Sequence, residues 1–278
     1  MAEGDTILRT ARRIEGALAG EKLSVTAPSP RGRAARVEQL DGRLLETVEA
    51  RGKHLLLHFA GPPPKSSASP EGKPPAGSDP AGSLVLHSHL GMSGSWHLYE
   101  HGASWRKPVR SAWVVLRGER WEAVQFGGPT LRVLKASAAR RDPQLARLGP
   151  DILAAGLDLD TAVRSLRTRP DLNLGEALLD QGLVAGIGNI FKSEACFAAR
   201  IDPWRQVKDL SDEDLERALA CARAQMQQAV TEGRHRFAVY HRARQPCQAC
   251  GTSIALRGQG DANRTTYWCP NCQASPTA

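Results

Sequence analysis

Four cysteines near the end of the chain have the spacing of a metal site: Cys247 and Cys250 form one C-x2-C pair, Cys269 and Cys272 another, with eighteen residues between the pairs. Two such knuckles at that separation predict a closed four-thiolate site for one structural Zn2+ ion. Four thiolates leave no open coordination position, so the ion staples a module and does not catalyse. The intervening segment has room for a short hairpin, Ser253–Leu256 out and Arg264–Trp268 back. Arg264 opens the return strand, and a guanidinium there can grip a phosphate through two parallel N–H donors. At the other end of the chain Ala2 is small enough for the initiator methionine to be removed, exposing an α-amine beside Glu3. With a reference pKa of about 7.7–8.0 such an amine is partly neutral at physiological pH and can attack an aldehyde carbon. A frayed, solvated terminus would read the same way. Lys53 follows Gly52 at the entry to the apolar run His54–Phe59, where a solvated lysine is the ordinary expectation.

Asn189 follows the turn Gly186-Ile187-Gly188 and stands where it would cap a helix. Glycines let a phosphate approach the backbone, and the uncovered N–H groups and positive end of a helix attract it. Helix pairs joined by glycine turns are as common in plain helical cores. His87 and His89 alternate with apolar neighbours and lack a third ligand at metal spacing, so they are expected to be hydrogen-bonded structural residues. Met92, between Gly91 and Ser93, could be core or could project from a loop.

The elements that must position these groups are legible from periodicity. Ile7, Leu8, Ala11, Ile14 and Leu18 recur at helical spacing, with Asp5 placed to cap the helix. Short alternating runs between Leu23 and Phe59, then Leu84–Trp96, Ser111–Arg117, Trp121–Phe126 and Leu131–Leu134, predict an antiparallel β-sandwich or flattened barrel. Between them 61–83 holds seven of the eighteen prolines and no apolar side chain larger than alanine apart from those prolines, which predicts a disordered loop. Helices are expected over Leu145–Leu148, Asp160–Arg167, Asn173–Leu179 and Ser211–Gly233, followed by a basic run, Arg234–Arg244, into the cysteine module.

Composition sets outer bounds. A chain of 278 residues with 41% hydrophobic content can build two domains beside the metal module. A formal net charge of +8 agrees with a polyanionic partner. Cys196 and Cys221 fall inside apolar helical patterns, where reduced thiols point to a reducing cytoplasm. No run of eighteen apolar residues and no leader is seen, so a membrane is not an expected partner.

Together these pieces resemble the formamidopyrimidine-DNA glycosylase and endonuclease VIII family of bacterial base-excision repair enzymes. The resemblance rests on Ala2-Glu3-Gly4-Asp5-Thr6, Arg51-Gly52-Lys53, the stretch from His89 to Gly94, the segment from Asp180 to Glu194, and the hairpin from Arg264 to Gln273. It covers nearly the whole chain apart from 61–83. It implies an α+β multidomain protein: an N-terminal β-sandwich with flanking helices over 2–136, a helix-two-turn-helix domain over 143–236, and a zinc-finger hairpin over 237–275. It implies a DNA glycosylase with AP lyase activity that removes oxidised bases, pyrimidines above all, from damaged double-stranded DNA through a Schiff base at the terminal amine. Ala2 would be the nucleophile, Glu3 the acid that protonates the deoxyribose ring, and Lys53 a hairpin lysine near phosphate and sugar. Asn189 and Arg264 would be phosphate ligands, and Met92 and Phe126 would fill the gap left by an extruded nucleotide. A monomer in the bacterial cytoplasm, associated with the nucleoid, is the expected state. The chain departs from the family at Ala2, where proline is usual, at Thr6, where a second acid is usual, and at Val124, where an arginine is usual. The competing expectations are a catalytically weak or inactive damaged-DNA-binding protein and, less fitting to the Ala2-Glu3 start, a zinc-ribbon regulatory factor.

Overall fold

A computed structural model of the protein describes residues 2–61 and 82–274. The stretch 61–83 expected to be a disordered loop lies outside the described residues except for Gly61, Gly82 and Ser83. The chain divides into two compact units, the first comprising Met1–Ala2 and Ile7–Ala146, the second Glu3–Thr6 and Arg147–Ala278.

Helix α1 (Gly4–Leu18) belongs to the first unit from Ile7 onward, where Ile7, Ala11, Ile14 and Leu18, each no more than 2% exposed, enter the core. The helix starts one residue before Asp5, so Asp5 lies inside the first turn and does not take the cap position. An acid there still opposes the positive helix end. Eight strands follow: β1 (Lys22–Thr26), β2 (Arg43–Arg51), β3 (His54–Phe59), β4 (Leu84–His89), β5 (Ser95–Glu100), β6 (Ala112–Arg117), β7 (Trp121–Phe126) and β8 (Thr130–Lys135). Short helices α2 (Pro30–Ala34), α3 (Ala136–Ala139) and α4 (Pro143–Ala146) flank them.

The strand order is β5-β7-β6-β1-β2-β3-β4-β8. Strand β1 changes partner midway, pairing Lys22 and Leu23 with β2 and Ser24–Thr26 with β6. The two halves of the sheet therefore share β1 as a corner, and Leu57 and Leu86 of one half join Val114 and Leu116 of the other in a single core cluster. This is how a continuous sheet forms a sandwich. The run Leu84–Trp96 is two strands and not one, because the glycine-rich turn after His89 interrupts pairing.

In the second unit α5 (Leu159–Arg167), α6 (Leu174–Leu179), α7 (Asn189–Ala198) and α8 (Asp212–Glu232) surround one apolar cluster that includes Leu166, Leu178, Phe191 and Leu219. Ser211 caps α8 by accepting from Asp214 N at 3.1 Å, and Gly233 ends it in the left-handed region at φ 72°. Strands β9 (Ala255–Gln259) and β10 (Arg264–Trp268) make a separate hairpin. The outgoing strand begins later than Ser253 because that part of the chain is committed to the first knuckle, with Cys247 N donating to Thr252 O and Ile254 N to Gln245 O.

Candidate functional site

Helix α7 gathers the second unit's polar groups. The first N–H groups of any helix lack intrahelical partners, and the turn before Asn189 leaves such a set at its end. Glu3 takes them: its carboxylate accepts from Gly188 N at 3.0 Å, Ile190 N at 2.8 Å and Phe191 N at 3.3 Å. This corrects the expectation of uncovered N–H groups open to a phosphate. Glu3 is 1% exposed, and two carboxylate oxygens satisfy several donors while adding a charge suited to the positive helix end. The carboxylate passes so close that a Cβ at Gly188 would lie 2.2 Å from Glu3 Cδ. Gly188 occupies the cap position, Asn189 is the first helical residue, and the capping expected of Asn189 is done by Glu3.

Asn189 instead faces the hairpin, donating Nδ2 to Thr265 O at 2.7 Å, while its Oδ1 is buried without a partner. One turn on, Lys192 is fully buried and donates Nζ to Thr266 Oγ1 at 2.5 Å. Thr266 Oγ1 donates in turn to Gln259 Oε1 at 2.8 Å, and Gln259 Nε2 donates to Pro203 O at 2.8 Å. Burial pulls the Lys192 pKa down to about 8, with Arg264 adding to the fall and Glu3 opposing it. Glu194 on the same helix accepts from Ala238, Val239 and Tyr240 N at 2.7–2.9 Å, fixing the link between α8 and the cysteine module. Burial raises the Tyr240 pKa, against a bond from Asn189, and Glu3 raises it further. Arg264 is exposed at the start of β10. Glu3, Asn189 and the strand bearing Arg264 thus meet on α7. Reading the sequence assigns Lys192, Glu194 and Tyr240 no role of their own, although a lysine and a glutamate among the apolar residues of α7 were a signal for the first two.

In the first unit the backbone N–H of Ala2 donates to Gly91 O at 3.4 Å, which sets Ala2 against the turn that carries Met92. Met92 is 72% exposed, so it projects from the loop and does not fill the core. Phe126 differs: it is 3% exposed, with Trp105 and His97 edge-on to its ring and Lys107 Nζ 5.3 Å from its centre. Its ring is core as it stands, and Val124 is buried in the same cluster. Lys53 sits at the tip of a two-residue turn joining Arg51 to His54, with Gly52 at φ 57° as such a turn needs. His87 and His89 are hydrogen-bonded, His89 Nδ1 accepting from Gly91 N at 3.2 Å.

The cysteines converge. The sulfurs of Cys247, Cys250, Cys269 and Cys272 all lie within 4.8 Å of one another, with 3.5 Å between Cys250 and Cys269 and 3.9 Å between Cys247 and Cys272. Tetrahedral ligation at a zinc–sulfur distance near 2.3 Å separates sulfurs by about 3.8 Å, so the cluster has the dimensions to hold a metal ion.

Comparison with known proteins gives two family matches: a model described as the formamidopyrimidine-DNA glycosylase N-terminal domain over residues 1–128, and one described as the formamidopyrimidine-DNA glycosylase H2TH domain over residues 148–240. A Streptomyces coelicolor protein named "Probable endonuclease 8 2" is 36% identical, with 99% of this chain and 95% of that one covered. A Mycolicibacterium smegmatis protein named "DNA-(apurinic or apyrimidinic site) lyase Nei2" is 34% identical, with 99% and 100% covered. Among solved structures, a Lactococcus lactis formamidopyrimidine-DNA glycosylase non-covalently bound to DNA containing an AP site aligns with a TM-score of 0.77 at 21% identity, covering 98% of this chain and all of that one. At that identity the likeness concerns the fold.

Proposed function

The chain belongs to the formamidopyrimidine-DNA glycosylase and endonuclease 8 family, and from that premise we propose that it is a base-excision repair DNA glycosylase with AP lyase activity on damaged double-stranded DNA. The observation that carries the reading is the immobilised Glu3 carboxylate, held by three backbone N–H groups and covalently next to the residue whose amine would react.

With the initiator methionine removed, the neutral α-amine of Ala2 attacks C1′ of the damaged nucleotide and the base departs. The bonds from Gly188, Ile190 and Phe191 N are all accepted ones, which an ionised carboxylate can hold. Glu3 can therefore take the proton that the amine releases as the C–N bond forms and pass it to the deoxyribose ring oxygen. Ring opening leaves a Schiff base whose positive nitrogen draws electrons and acidifies C2′, permitting β- and then δ-elimination of the flanking phosphates. Alanine supplies a primary amine where the family's proline supplies a secondary one, and both form imines.

Lys53, Asn189 and Arg264 are the phosphate ligands in this reading, and Met92 is the side chain exposed enough to enter the gap behind an extruded nucleotide. Holding the backbone offsets the few kcal/mol lost when a base leaves the stack. Cys247, Cys250, Cys269 and Cys272 would hold a Zn2+ ion, which would brace the hairpin that bears Arg264. Oxidised pyrimidines are the favoured substrates, from the resemblance of the Ala2–Thr6 start to endonuclease 8.

The test is borohydride trapping on duplex DNA with one abasic site, using protein whose mature terminus is verified by mass spectrometry. An adduct mapped to Ala2 is expected. Tight binding of a processed protein without any adduct would reject the amine as nucleophile and favour a protein that only binds damage.

A further inference from the structure

Three histidines meet on the first unit beside the Gly52-Lys53 turn. His54 and His89 face each other in register across β3 and β4 with ring centres 4.7 Å apart, and the His87 ring is 5.0 Å from that of His54. Their hydrogen bonds determine where the protons are. A guanidinium can only donate, and Arg132 directs Nε and an Nη at His87 Nδ1 from 3.1 and 3.0 Å. His87 Nδ1 is therefore an acceptor, and its proton sits on Nε2. That Nε2–H donates across 2.8 Å to His54 Nδ1, which must accept in turn. His54 is left in the tautomer with its proton on Nε2, and among the described residues no hydrogen bond uses that proton.

The relay is firmly anchored. Arg132 is held by Asp142 at 2.8 Å and by Gln144 at 3.1 Å, while Asp142 also accepts from Gln144 N and Leu145 N. Burial, helped by the neighbouring histidines and Arg132, lowers the His54 pKa to about 3. Burial and then Arg132 lower that of His87 to about 4. Both rings are neutral at physiological pH. The half-buried His54 ring thus offers a preset N–H donor one residue after Lys53.

We propose that His54 is a further phosphate ligand, donating Nε2–H to a DNA backbone oxygen next to the one met by Lys53, with its tautomer set by His87 and Arg132. The assignment rests on the DNA reading above and adds to it a neutral contact. A fixed donor needs no reorientation to meet an anionic oxygen, and a hydrogen bond to a charged group is stronger than one between neutral groups.

The test measures affinity for a duplex with a stable abasic-site analogue across a range of salt concentrations. His54→Phe is expected to weaken binding about tenfold or more, the loss of one charge-assisted hydrogen bond. Its salt dependence stays at the wild-type slope, because a neutral ring releases no counterion, whereas Lys53→Met lowers the slope by about one. His54→Gln, which can return an N–H to the same place, keeps most of the affinity. Wild-type affinity in His54→Phe, with wild-type protein still preferring damaged over intact duplex, overturns the histidine's role alone. Absence of that preference in the wild type overturns the DNA reading and this contact with it. Should His54→Phe not fold, the imidazole nitrogen resonances of the wild type decide: the His54 Nε2 signal shifts on adding duplex, and an unmoved signal rejects the contact.

Discussion

Glu3 makes its three accepted bonds at the one place where a helix has donors to spare. The side chain is thereby both a helix cap and, in the proposed chemistry, a proton carrier, and the two roles separate on substitution. Glu3→Gln keeps an oxygen for the N–H groups but loses the charge and the ability to move a proton. Base excision is expected to fall by about a hundredfold or more, the usual scale of general acid–base catalysis. Stability should fall by only about 1–2 kcal/mol, from weaker hydrogen bonds and a lost charge at the helix end. Single-turnover excision, with binding to an abasic-site analogue as the control, checks this; excision at the wild-type rate would remove Glu3 from the chemistry. The chain's first residues suggested a carboxylate beside an amine, but its partners lie 185–188 residues away and no local pattern names them.

At the level of elements, α7 ties three remote segments together through Glu3, Glu194 and Lys192. Lys192 makes a prediction of its own. Its pKa is lowered by burial to about 8, against about 10.4 for an exposed lysine. Between those values the unfolded chain binds a proton that the folded protein does not, so this group makes stability rise as pH rises from about 8 to 10.4. Below that window the whole cost of burying the charge is present, on the order of 3 kcal/mol. Lys192→Met should flatten the rise, read as the change in urea midpoint between pH 7.5 and pH 10 for variant and wild type. Parallel changes would mean that Lys192 does not titrate in the window. Other elements were plain from sequence because their signals are local. Ser211 and Gly233 bracket α8 as cap and stop, and the bounds read for the strand Trp121–Phe126 coincide with those of β7.

For the whole molecule, the metal module is expected to act through the second unit alone. Its core is small, with Val239, Cys247, Ile254 and Cys269 as the buried apolar set, so a metal ion held by the four cysteines would replace the apolar surface that the module lacks. Chelation, verified by metal analysis, should speed amide exchange across Cys247–Gln273 and weaken binding to damaged duplex, because Arg264 and the acceptors for Asn189 and Lys192 lie on that hairpin. Amides of the eight-stranded sheet should keep their protection. Unchanged affinity after complete chelation would make the hairpin dispensable. The net charge of +8 agrees with a polyanionic partner, but its placement is what gives it meaning. Spacing along the chain by itself determined the two cysteine knuckles, the helical and strand periods and the turn at Gly52, since the groups that define each lie within a few residues of one another. Tertiary structure alone decided that Glu3 and not a phosphate fills the end of α7, that Phe126 is core while Met92 is surface, and that Arg132 orders the protons of His87 and His54. Each of those outcomes depends on groups from separate segments meeting in a packed interior, where burial and the supply of donors and acceptors, and not the sequence period, select the partner.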